Sequence, residues 1–143
     1  MEQDRILIVE DERIIALDLK RRLERFGYEV VGMASEADDA VELASKELPD
    51  LVLMDIMLSS ASDGITAATE IRRRNRIPVV FLTAYADEAT IQRAKIAEPV
   101  GYVLKPFKER ELYTTIEIAL YKSRVDKTLL QQERLFNAIL TSI

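Results

Sequence analysis

Four kinds of side chain stand where they could do chemistry together. The apolar run Arg5–Val9 is followed by Glu10, Asp11 and Glu12, and the run Asp50–Met54 by Asp55. The run Pro78–Thr83 closes on the hydroxyl of Thr83, and Val100–Leu104 leads into Lys105. Carboxylates packed together repel and raise one another's pKa. A hard divalent cation relieves this, and magnesium takes oxygen ligands from one or two carboxylates plus water. A pocket of that kind beside an ammonium and a hydroxyl accepts a phosphoryl group, whose oxygens need neutralising and hydrogen bonding. Asp55 would be its nucleophile, forming an acyl phosphate. Each residue also has an ordinary role. Acids after a strand cap helices, Asp55 suits a turn, Thr83 a strand end, and Lys105 before Pro106 a solvated loop. The joint placement at four strand ends favours the phosphoryl reading.

The elements that must position these residues are legible as a pattern. Five short apolar runs recur at Arg5–Val9, Glu29–Ala34, Asp50–Met54, Pro78–Thr83 and Val100–Leu104. Three are almost wholly apolar, as strands buried on both faces are. The second carries Gly32 and less bulk, which puts it nearer an edge. Amphipathic stretches lie between the runs. The first presents Ile14, Ile15, Leu17, Leu19, Leu23 and Phe26 before Gly27. The second runs from Glu36 to Leu48, and the third follows Gly64 and ends basic with Arg72, Arg73, Arg74 and Arg76. The fourth, about 88–97, is short and weakly apolar. Alternation of this kind predicts a doubly wound α/β sheet with right-handed crossovers. Ligands then sit beyond the carboxyl ends of the strands.

Composition narrows the chemistry further. The chain has 143 residues, with 48% hydrophobic and 31% charged, enough for one core plus an appendage. Cysteine and histidine are both absent. This excludes disulfides, thiolate or imidazole metal sites, a Ser-His-Asp triad and histidine phosphorylation within the chain. A net charge of −5 argues against general nucleic-acid binding. The acidic start and the short apolar runs predict a cytoplasmic chain with no membrane insertion.

The segments ILIVEDE, LVLMDIML, DGI, VVFLTAY and GYVLKPF closely resemble the receiver domain of two-component response regulators. The resemblance spans about residues 3–122 and implies a five-stranded parallel sheet of order 2-1-3-4-5 with five helices. It implies that Asp55 is the phospho-acceptor and that Asp11 ligates magnesium directly, with manganese as a substitute. Asp55 and the backbone carbonyl of Met57 complete the protein ligands, and Glu10 acts through water. Thr83, Lys105 and the small Ala84 would receive the phosphoryl group, Thr83 and Tyr102 would form the switch, and the Lys105–Pro106 bond would be cis. Glu10 replaces the commoner aspartate. The loop IMLSSASDG is one residue longer than usual and lacks its proline, and Glu98–Pro99 replaces a small glycine-containing turn.

The implied function is phosphorelay signalling rather than turnover catalysis. A histidine kinase or phosphotransfer protein would supply the phosphoryl group, switching the face formed by the fourth helix, fifth strand and fifth helix. From Lys108 onward no proline or glycine interrupts the chain, so the last helix is expected to continue well past the receiver. Val125, Leu129, Gln132, Phe136, Ile139 and Ile143 alternate at spacings of four and three, a short heptad seam. Residues 123–143 are therefore read as a helical extension that pairs with a second copy. The end of this extension, RLFNAILTSI, resembles the lead-in to a PAS sensor domain in hybrid or multi-sensor histidine kinases, which implies a following module. The alternative is a stand-alone receiver with an overlong last helix. The competing reading is a receiver-like interaction module that is never phosphorylated. It would have dispensed with Asp55, Thr83 or Lys105, and all three are present.

Overall fold

In a computed structural model the chain is described at residues 3–58, 63–84 and 88–142. The strands are β1 (Arg5–Val9), β2 (Glu29–Ala34), β3 (Leu51–Asp55), β4 (Val79–Thr83) and β5 (Gly101–Leu104). The helices are α1 (Arg13–Arg25), α2 (Ala37–Glu47), α3 (Gly64–Asn75), α4 (Glu88–Lys95) and α5 (Glu109–Thr141). All strand pairs are parallel, in the order β2-β1-β3-β4-β5. This is the expected doubly wound sheet. The apolar strands β1, β3 and β4 form its centre, and the less bulky β2 is an edge, with an irregular register between Ile6 and Leu7.

Side chains alternate across the sheet, so each central strand feeds two cores. Leu7, Val9, Val52, Met54 and Phe81 meet α2, α3 and α4 through Ala40, Ala44, Ala68, Ile71 and Ala94. Ile6, Ile8, Leu53, Val80 and Leu82 meet α1 and α5 through Leu19, Leu23, Leu112 and Ile116. The first layer is alanine-rich, which lets its helices lie close to the sheet. The second is filled by leucine and isoleucine.

The helix ends show where local rules held and where they were overridden. Gly27, at φ +96°, lets the chain turn after α1, with the amides of Gly27 and Tyr28 bonding back to Glu24 and Leu23. Leu48 and Arg76 do the same job after α2 and α3, at φ 47° and 54°, although neither is glycine. Asp63 caps α3, its carboxylate accepting from the Thr66 amide at 2.8 Å.

Helix α5 is continuous over 33 residues, about 50 Å at 1.5 Å per residue. Its last buried residue is Leu120, Arg124 still pairs with Asp4, and every described residue after Leu130 is exposed. Val125, Leu129, Phe136 and Ile139 of the expected seam are exposed. Ile143, like the loop residues 59–62, lies outside the described residues. Among the described residues no helix is long and apolar enough to cross a membrane.

Candidate functional site

The order of the sheet reverses between β1 and β3, the switch point whose crevice beyond the carboxyl ends takes ligands in sheets of this kind. Glu10 and Asp11 follow β1 directly, and Asp55 is the last residue of β3. One carboxylate oxygen from each of Glu10, Asp11 and Asp55 lies within 4.8 Å of the others. Lys105, one residue past β5, reaches back over the crevice. Its Nζ donates to Glu10 Oε2 at 2.9 Å and to Asp55 Oδ2 at 3.0 Å. The side chains of Glu10 and Asp55 are almost fully buried there. The other oxygens accept from backbone: Glu10 Oε1 from the Glu12 amide at 3.2 Å and Asp55 Oδ1 from the Met57 amide at 3.0 Å.

Three carboxylates against one ammonium leave the pocket with excess negative charge. Its effect is visible at Glu10. Burial first, then the neighbouring Asp55 charge, push its carboxyl up to about 7 despite the opposing hydrogen bond from Lys105. Lys105 is held charged by its two carboxylates, which outweigh its own burial. An oxygen-only donor set with surplus negative charge fits a hard divalent cation, magnesium or manganese, and would not suit a soft metal.

The remaining sequence candidates gather around this crevice to different degrees. Thr83, buried at the end of β4, sits beside the pocket through backbone pairing: the Lys105 amide donates to its carbonyl at 2.9 Å. Ala84 follows it and is exposed. The Met57 side chain faces solvent while its amide faces Asp55. Tyr102 is half-buried on β5, its ring 6.2 Å from that of Phe81 and packed against the α2–α4 core. The Lys105–Pro106 peptide is cis.

Two features were not singled out from sequence. Gly64 opens α3 against the backbone of Asp55, where a Cβ would lie 2.0 Å from the Asp55 carbonyl oxygen. The Asp63 that caps this helix also pairs with Arg93 of α4, tying the start of α3 to the next crossover. An Asp–Gly pair before an amphipathic run was the available signal for the first. Nothing local signals the second.

A doubly wound sheet of this order, with buried acids and a lysine at its switch point, is an α/β module whose switch point does not suit a nucleotide or flavin, since a phosphate loop there would be rich in glycine and hydroxyls. The model for the response regulator receiver domain matches residues 6–117, and the chain belongs to that family. It is 42% identical over 84% of its length to the transcriptional regulatory protein PdtaR of Mycobacterium tuberculosis, covering 58% of that protein. It is 36% identical over 81% of its length to the phyllosphere-induced regulator PhyR of Methylorubrum extorquens, covering 43% of it. The chain thus spans about half the length of these relatives. The receiver domain of a modulated diguanylate cyclase from Desulfovibrio desulfuricans superposes with a TM-score of 0.83 at 38% identity, over 87% of this chain and 99% of that one. The chain is a receiver module of two-component signalling.

Proposed function

We propose that this receiver accepts a phosphoryl group on Asp55 from a histidine kinase or phosphotransfer protein, in a magnesium-dependent reaction. The single observation that carries this is the convergence of Glu10, Asp11 and Asp55 under the bridging Lys105 ammonium. Asp11, Asp55 and the Met57 carbonyl would hold the cation, with Glu10 acting through water. When bound, the cation supplies positive charge that lets a phosphoryl group enter a pocket of carboxylates.

An Asp55 oxygen attacks phosphorus, a P–O bond forms, and the donor's P–N bond breaks, its electron pair staying on the imidazole nitrogen. Lys105, already within 3.0 Å of Asp55, pairs with the incoming oxygens, and exposed Ala84 leaves their approach open. The Thr83 hydroxyl donates to the phosphoryl group once it is in place. Tyr102 then follows Thr83 inward, and the face made by α4, β5 and α5 changes pose as a population shift. Hydrolysis of the acyl phosphate resets the module, so it is a phosphorylated switch and not an enzyme.

Residues 1–122 form the receiver, and residues 123–143 a helical extension whose exposed apolar residues pair with a second copy and pass the change onward. The charge of the chain and its apolar runs favour a cytoplasmic setting with no direct nucleic-acid contact. Incubation with a small acyl phosphate and magnesium is expected to add one phosphoryl mass, lost in Asp55→Asn. An unmodified parent chain that also ignores beryllofluoride would favour a receiver-like module that is never phosphorylated. Sedimentation of the whole chain beside one cut near Arg124 tests the pairing, since two monomers would refute it.

A further inference from the structure

The opposite end of the sheet carries a second concavity that the switch chemistry does not use. It lies at the amino ends of β4 and β5, where Pro78 and Val100 enter the strands. It is bounded by the last turn of α3, the turn between α4 and β5, and the first turns of α5 beyond the body. The space measures about 790 Å³, within the usual range for small-molecule sites. Ile77, Pro78, Ala97, Pro99 and the half-buried Leu130 give it an apolar lining.

Its walls are cationic although the chain as a whole carries −5. Five basic residues line it against two acids, Glu98 and Asp126. Arg72 is already committed, bridging the Glu98 carboxylate at 2.6 Å and its carbonyl at 2.9 Å. Arg73 is committed to Glu70 at 2.7 Å. Arg76, Lys122 and Lys127 make no ion pair among the described residues. Arg76 also holds a left-handed backbone, φ 54°, at a helix-capping position that ordinarily favours glycine. Glu98, across the cleft, is left-handed as well, at φ 49°. Three unpaired cationic side chains lining one cleft that also has an apolar floor match an anion with an apolar body.

We propose that this cleft binds a nucleoside polyphosphate, its phosphates on Arg76, Lys122 and Lys127 and its base against the apolar floor. Because Lys122, Lys127 and Leu130 belong to α5 and the other walls to the receiver body, the bound anion braces the emerging helix against the body. The site stands apart from the Asp55 pocket by the length of the strands and does not depend on phosphorylation.

The test is amide NMR of the whole isotope-labelled chain at physiological salt, titrated in turn with ADP, pyrophosphate, adenosine and a glutamate-rich peptide. Saturable shifts with ADP confined to residues 69–78, 96–100 and 122–130 are expected, with adenosine at least about tenfold weaker. Pyrophosphate binding more weakly than ADP at the same residues supports the contribution of the floor. Arg76→Gly removes the charge while relieving the backbone. It is expected to melt no lower than the parent yet to weaken ADP about tenfold, as Lys127→Glu does independently. Absent or non-saturable shifts, equal affinity in both variants, or a peptide that binds as tightly as ADP would overturn the assignment.

Discussion

Gly64 gives the sharpest test of how the backbone sets the acceptor site. A Cβ at this position would stand 2.0 Å from the Asp55 carbonyl oxygen, 3.0 Å from its carbonyl carbon and 3.1 Å from the Cα of Ile56. These are buried backbone atoms at the end of the central strand β3 and in the residue after it, so no side chain can swing aside. Reaching ordinary contact at about 3.4 Å requires the two backbones to part by about 1.4 Å. Asp55 is held at 3.0 Å by both the Met57 amide and Lys105, and neither bond survives such a displacement. In Gly64→Ala we expect overpacking to cost about 3 kcal/mol, offset by at most about 1 kcal/mol of helix propensity. The net loss of about 2 kcal/mol should lower the melting temperature by about 6–10 °C. Phosphorylation by a small acyl phosphate, followed by mass, should slow by about a hundredfold, the usual penalty for misplacing a reacting group by an ångström. Gly32→Ala is the control. Its Cβ would meet only the ends of Leu7 and Leu43, at 3.3 Å and beyond, and should leave the phosphorylation rate unchanged. A Gly64→Ala chain that melts with the parent and is phosphorylated at its rate would show that this contact does not set the site.

Other expectations follow from the same geometry. Lys105→Met leaves two buried carboxylates without their shared cation, so it should cost about 3 kcal/mol in metal-free buffer by denaturant titration and largely recover in magnesium. Magnesium itself should raise the melting temperature of the parent by mass action, and Asp11→Asn should blunt that rise; equal shifts in both chains would exclude Asp11 from the cation site. Tyr28 is buried and donates to Glu117 at 2.6 Å, and burial first, then that carboxylate, raise its phenol above the usual value of 10.0. The unfolded chain therefore loses this proton before the folded one does, and stability should fall as the pH climbs past about 10. Tyr28→Phe should be less stable at neutral pH by about 1–2 kcal/mol and should lack that part of the alkaline decline. An unchanged alkaline profile in Tyr28→Phe would refute the linkage.

The sequence by itself determined the alternation of strands and helices, because burial on both faces writes continuous apolar runs and burial on one face writes a helical stripe. It also determined which residue types close each strand, so Glu10, Asp11, Asp55, Thr83 and Lys105 stood out before any coordinates did. The uninterrupted α5 was legible for the same kind of reason, since neither proline nor glycine breaks the chain after Lys108. Tertiary structure alone decided what those residues do to one another. That Lys105 bridges Glu10 and Asp55, 95 and 50 residues away, depends on strand order and register, which no local pattern encodes. The left-handed turns at Leu48, Arg76 and Glu98 were equally hidden, because local propensity assigns such positions to glycine. The cleft at the foot of the sheet was hidden as well: its walls come from three stretches of chain that meet only when β4, β5 and α5 are stacked.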